Sequence, residues 1–171
     1  MRVSKIFNAN VYIDGTNSLL GRAKEIVLPD VAVKTEEHVG LGMVGAIELP
    51  TGLQAMTTKI KWAGFYADQL TLGANPFQAH KLQVRASHES FEAGGRVEQV
   101  PLVVNLTVRW KKTPLGTIVA QTGQEPEDEL ATTYVKVTRN GVELVEIDVL
   151  ENVWKVNGED VLAAYNKNLG G

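Results

Sequence analysis

Three sets of residues have the types and spacing that chemistry uses. The first is "VGLGMVG", Val39 to Gly45, where Gly40, Gly42 and Gly45 have the Gly-x-Gly-x-x-Gly spacing of a dinucleotide-binding turn. Such a turn needs a buried apolar strand before it and a helix after it, so that helix amides meet the pyrophosphate. Here "KTEEH" precedes, Pro50 follows soon after, and Val44, Ile47 and Leu49 favour extended structure. No acidic residue stands at the ribose-binding distance of about 20 residues. The glycines therefore predict a flexible or close-packed backbone arm, not a nucleotide site.

The second set is acidic. "EPEDE", Glu125 to Glu129, lacks the glycine and ligand spacing of an EF-hand and is expected to be a solvated loop. Glu143, Glu146, Asp148 and Glu151 include enough carboxylates for a glycosidase pair, but alternating charge along a strand describes its polar face. The third set is His38, His80 and His88. If His80 and His88 share a strand they are about 26 Å apart and cannot share a metal. They are expected to be isolated surface or packing residues. No nucleophile elbow is present, and with no cysteine there is neither thiol chemistry nor a disulfide. The expectation is a protein without catalytic residues, metal or cofactor.

The elements that carry these residues are mostly strands. Leu82, Val84 and Ala86 alternate with polar neighbours, as do Leu102, Val104, Leu106, Val108 and Trp110, with Gly94-Gly95 as the turn of a long hairpin. Asn140-Gly141 predicts a type I′ turn between "TTYVKVTR" and "VELVEIDVL". A two-residue loop there places Val137 opposite Leu144 and Tyr134 opposite Ile147, giving a sheet with apolar residues on both faces. Shorter strands are expected at Ala9 to Ile13, Ala23 to Leu28 and Gln54 to Trp62. "FYADQLTLG" predicts two helical turns ending at Gly73. A C-terminal helix is expected with Asn157 as cap, Glu159 and Asp160 in its first turn and Gly170 at its end. Val161, Leu162, Tyr165 and Leu169 would share its docked face.

The 171 residues suit one mainly β domain, 1–171, with no linker or repeat. A net charge of −3, without a basic cluster beyond Arg109 to Lys112, argues against tight nucleic-acid binding. No apolar run is long enough for a membrane span, and cytoplasmic synthesis is the expectation.

Two groups of motifs resemble one family. "NGVELVEIDVLENVWKVNGEDVLAAYNKNLG" supplies Asn140-Gly141, Glu146-Ile147-Asp148, Val156-Asn157-Gly158, Asp160, Leu162 and Asn168-Leu169-Gly170. "NANVYIDG" and "LPDVAVKTEEHVGLGMVGAIEL" supply a strand ending in Asp-Gly, an "LP" strand and a "GM"-containing arm. Together they resemble the major tail tube proteins of contractile-tailed bacteriophages, the P2-like family that also includes R-type pyocin tubes. Asp30 departs from the Lys frequent in that family.

The resemblance implies a β-barrel or sandwich with a flanking helix, whose strands join those of five other copies into one inner barrel. Such rings stack into a hollow tube around a tape-measure protein, inside a contractile sheath, between baseplate and tail terminator. In a phage, DNA passes through without tight binding, and nothing inserts stably in a membrane. The virion tail, assembled in the host cytoplasm, is the implied location. Implied subunit contacts are Val39, Gly40, Leu41, Gly42, Met43, Val44 and Gly45 of the arm, with Glu146 and Asp148. A pyocin, type VI secretion or extracellular injection tube is the alternative within the class. A monomeric β-sandwich binding glycans is the alternative outside it, and it needs exposed aromatics where only Trp62, Trp110 and Trp154 are available.

Overall fold

The computed structural model describes residues 1–15 and 17–171. One large antiparallel sheet dominates them. Strand β1 (Val3–Ile13) meets the short β2 (Asn17–Ser18), and β3 (Ala23–Val27) follows. Next come β4 (Val33–His38), β5 (Ile47–Leu53) and β6 (Met56–Trp62), then helix α1 (Ala67–Gly73). The long strands are β7 (His80–Glu92), β8 (Gly95–Lys112) and β9 (Glu127–Arg139), followed by β10 (Val142–Asp148). The chain ends with β11 (Val153–Val156), β12 (Glu159–Asp160) and α2 (Ala163–Asn168).

The sheet order is β12-β11-β10-β9-β8-β7-β1-β2. Strand β9 splits its free side: its second half pairs with β10, and its first half with β6, which carries β3. A pleated strand shows alternate side chains to one face, and the alternation predicted for the β7–β8 hairpin is the observed one. Leu82 and Val84 lie opposite Leu106 and Val104, and all four are buried. Met56, Ile60 and Trp62 of β6 and Leu130, Val135 and Ile147 of β9 and β10 complete the core.

Enclosed within the core is a carboxylate. Asp128 is fully buried, and its Oδ2 accepts hydrogen bonds from Trp110 Nε1 (2.7 Å), Trp62 Nε1 (3.1 Å) and the Gln69 side chain of α1. Buried indoles need an acceptor, and this one acid serves both. Burial raises the Asp128 pKa, against the pull of the Trp110, Trp62 and Gln69 hydrogen bonds. Helix α1 packs so closely here that a Cβ on Gly73 would lie 2.5 Å from Thr113 Oγ1 and 2.8 Å from Trp110 Cδ1. The acidic run is thus no solvated loop. Glu125 pairs outside with Lys24, whereas Glu127 to Glu129 enter β9 and turn Asp128 inward. In β9, Asp128, Leu130 and Thr132 keep the two-residue period of the core face, a pattern masked by the flanking glutamates.

Two further expectations need correction. Asn140 (φ 48°) and Gly141 (φ 79°) do form the predicted turn, but a bulge between Glu143 and Val145 shifts the register by one. Val137 pairs with Val145, Val135 with Ile147, and Tyr134 with Asp148. The shift puts all four aliphatic residues on the core face, since a one-residue slip exchanges a strand's faces. The other face is polar, so the sheet is not apolar on both sides. At the C-terminus, Asn157 (φ 50°) and Gly158 (φ 82°) close a hairpin between β11 and β12 instead of capping a helix. Helix α2 begins only at Ala163, and Val161, Tyr165 and Leu169 are exposed, so the expected docked face is absent among the described residues. Gly170 (φ 89°) does end it.

Candidate assembly surface

Strands β4 and β5 form their own two-stranded sheet, outside the main one. Its register runs from Val33 opposite Leu53 to His38 opposite Ile47, and every residue from Val33 to Gly52 is exposed except the half-buried Gly40. "VGLGMVG" is the tip of this hairpin. The Met43 N–H donates to Gly40 O (3.1 Å), with Leu41 and Gly42 between them, and Gly42 has φ +84°. That is a type II turn, whose third position requires the positive φ that glycine tolerates. Met43 folds its sulfur back to 3.1 Å from the Gly40 nitrogen, bracing the tip from within. Leu41 and Val44 point into solvent, each 108% exposed, and Val39 is also exposed.

The arm is uncomfortable alone. Ile47 and Leu49 are exposed apolar side chains on one face. Glu37 stands directly opposite Glu48, a cross-strand like-charge pair that destabilises an isolated ribbon. An arm with these features gains most when a neighbour covers its apolar residues and supplies a cation.

The sheet carries a second surface opposite the core. One row crosses five strands as Tyr12, Gln83, Asn105, Lys136 and Glu146. Asn8, Asn10, Ser87 and Thr138 share this face, which is rich in amides and hydroxyls. Some of its charges are paired, Lys136 with Glu143 (3.4 Å) and Glu146 (3.6 Å), and Arg96 with Glu89 (2.9 Å), whereas Lys81, Arg85 and Arg109 make no ion pair among the described residues. The hydrogen bond to Glu143 and the nearby Glu146 raise the Lys136 pKa. Arg85 donates a long hydrogen bond to Gln83, at 3.5 Å. A shallow concavity of about 820 Å³ lies on this face beside Gln83, Asn105, Thr107, Tyr134 and Asp148.

The sequence motifs have local structural duties. Asp14 accepts from the Lys81 N–H (3.0 Å) and lies 2.9 Å from His80 Nδ1, pinning the Asp-Gly turn to β7. Burial works to raise its pKa, and these bonds outweigh burial and leave it lowered. Asp148 Oδ1 accepts from the N–H groups of Leu150 (3.0 Å) and Glu151 (3.2 Å). Asp160 Oδ1 accepts from the Leu162 N–H (2.9 Å) just before α2, while Val156 and Asn157-Gly158 make the hairpin. Of the carboxylates weighed for acid chemistry, Glu143 and Glu146 are engaged in ion pairs with Lys136 and Asp148 in a turn. His80 is buried edge-on to Trp110, and His38 sits on the arm, as packing and surface residues do. Trp62 and Trp110 are buried, so neither can line a glycan groove.

This architecture is that of tube proteins from contractile injection systems. The chain is similar in fold to a chain of the PVC extracellular contractile injection system sheath-tube complex in its extended state. The TM-score is 0.57 at 12% identity, covering 78% of this chain and 90% of that one. A chain of the PVC sheath/tube terminator gives 0.55 at 12% identity, over 78% and 95% of the two chains. Residues 3–170 match the family model for phage tail tube protein FII, and the chain belongs to that family. The tail tube protein of Escherichia phage P2 is 29% identical over 167 residues, 94% of each chain. The major tail tube protein of Serratia phage KSP20 is 26% identical over 154 residues, 88% of this chain and 86% of that one. The protein is a structural tail tube subunit.

Proposed function

We propose that six copies close into a ring, that rings stack into the inner tube of a contractile phage tail, and that the tube conducts DNA across the host envelope. The exposed arm carries this reading. Its apolar tip at Leu41 and Val44 and its opposed Glu37 and Glu48 call for contacts with another copy. A heterologous contact of this kind generates rings or filaments, according to the rotation it imposes.

The free edge of β1 supports ring closure, because pairing between copies removes an edge that is otherwise an aggregation hazard. We assign the amide-rich face of the sheet to the bore. A conduit should not hold phosphates, and the ion-paired Lys136 and uncharged Asn and Gln side chains suit that need. Glu146 and Asp148 would stand near the rim of this face at the subunit boundary. The outside of the tube would meet sheath protein, and its ends the terminator and baseplate, as in the assemblies containing the structural relatives. A tape-measure protein would occupy the bore during assembly in the host cytoplasm. No catalytic step is assigned to the chain. Electron microscopy of the purified protein tests this reading: sixfold rings or tubes are expected, and a dispersed monomer at every concentration would contradict it.

A further inference from the structure

Strand β1 is an outer strand of the large sheet. Strand β7 pairs along it from Val3 to Ile13, but β2 meets its other side only at Tyr12 and Ile13. The backbone shows which groups face outward. Val11 O accepts from the Leu19 N–H (2.8 Å), away from β7, whereas the Asp14 N–H donates to Lys81 O (2.8 Å), toward it. Because these directions alternate along a strand, the N–H groups of Val11 and Ala9 both point off the open edge.

An open edge with bare donors is a template for another strand. Here both donors are already taken. Asn8 Oδ1 accepts from the Ala9 N–H (2.8 Å), and Asn10 Oδ1 accepts from the Val11 N–H (2.9 Å). Asn10 is held in place by its own Nδ2, which donates to Ser18 Oγ (2.9 Å). Just before them, a bulge at Phe7 breaks the register with β7. Val3, Ile6 and Phe7 beside it are exposed apolar side chains.

We propose that Asn8 and Asn10 guard the β1 edge, holding off strand addition by a second copy until a growing tube presents the matching edge. The identity of the incoming strand rests on the tube reading above; the guard itself rests on the two side-chain bonds. An arriving carbonyl must displace an asparagine oxygen from each donor. One acceptor replaces another, so the final pairing loses little, while unseeded pairing is slowed. Val3, Ile6 and Phe7 then become covered, which favours the joined state once it forms.

Two measurements on the purified chain test this. Amide hydrogen exchange is read at Ala9 and Val11 in dispersed subunits, and the assembly lag is followed by light scattering. The variants are N8A, which leaves the Asn10–Ser18 contact intact, and N8A/N10A, each checked for a wild-type circular dichroism spectrum. In N8A, exchange at Ala9 should rise about fivefold, the factor expected for one hydrogen bond. The lag should shorten in both variants, with N8A/N10A the faster. Unchanged exchange, or an equal or longer lag in a folded variant, overturns the guard. If the wild type never assembles while N8A still exchanges faster, the tube reading fails and the edge bonds stand.

Discussion

The β4–β5 arm and the β6–β8–β9 core are both antiparallel strands with alternating side chains, yet they handle burial and charge in opposite ways. In the core, an acid is fully enclosed and every indole N–H around it finds its oxygen. In the arm, Glu37 faces Glu48, neither of them in an ion pair among the described residues, and Leu41 and Val44 stand fully in solvent. The core is complete within one chain. In the proposed assembly the arm would be completed by a second one, which would account for a sequence poorly suited to a lone ribbon.

Removing Gly40 to Gly45 should separate the two regions most sharply. The domain should keep its melting temperature, because the tip contributes no core residue, while tube growth is lost; unimpaired growth would show that the arm carries no contact. Asp128→Ala should do the reverse, leaving the arm untouched while stranding buried donors from Trp62, Trp110 and Gln69. Its cost should be about 3 kcal/mol in denaturant unfolding, and a loss near zero would mean that water or repacking satisfies the indoles.

Gly73→Ala probes the same core more gently. Its Cβ would press on Trp110 and Thr113, at an expected cost of about 1–3 kcal/mol. Glu48→Lys should stabilise the free arm by about 0.2–1 kcal/mol by pairing with Glu37, seen as slower amide exchange in β4 and β5. If a neighbour's cation normally meets these acids, the same change slows assembly. Asp128→Asn gives the smallest effect, visible only against pH. Burial raises the folded pKa of Asp128, so its stabilising contribution is full below the unfolded value and lost as pH rises through the folded one. The stability of the wild type relative to Asp128→Asn should therefore fall on going from acid to neutral pH; a constant difference would contradict the assigned burial.

Most of the core was legible in the sequence, because alternation such as Leu82-Val84 and Val104-Leu106 maps directly onto one face of a sheet. Turns with a backbone requirement were legible too, as at Asn140-Gly141, although the β7–β8 turn falls one residue before the expected Gly94-Gly95, at Ala93-Gly94, with Gly95 already paired to Glu92. What escaped was whatever depends on a partner strand. The bulge at Leu144 is set by the need to align Val145 and Ile147 with Val137 and Val135, and no local pattern announces it. Asn157-Gly158 is as good a hairpin turn as it is a helix start, and the pairing of Val156 with Glu159 decides between them. Asp128 was hidden by its acidic neighbours. The glycines marked the arm, but its role as a subunit contact was suggested only by the family resemblance, since exposed strands lack a buried face to reveal them.

Cryo-electron microscopy of filaments grown from the purified chain tests the central claim most directly. Sixfold symmetry is expected, with Leu41 and Val44 buried against an adjacent copy and Glu37 and Glu48 within reach of that copy's cation. Filaments in which the arm projects into solvent, with both tip residues as exposed as in the single chain, would contradict it.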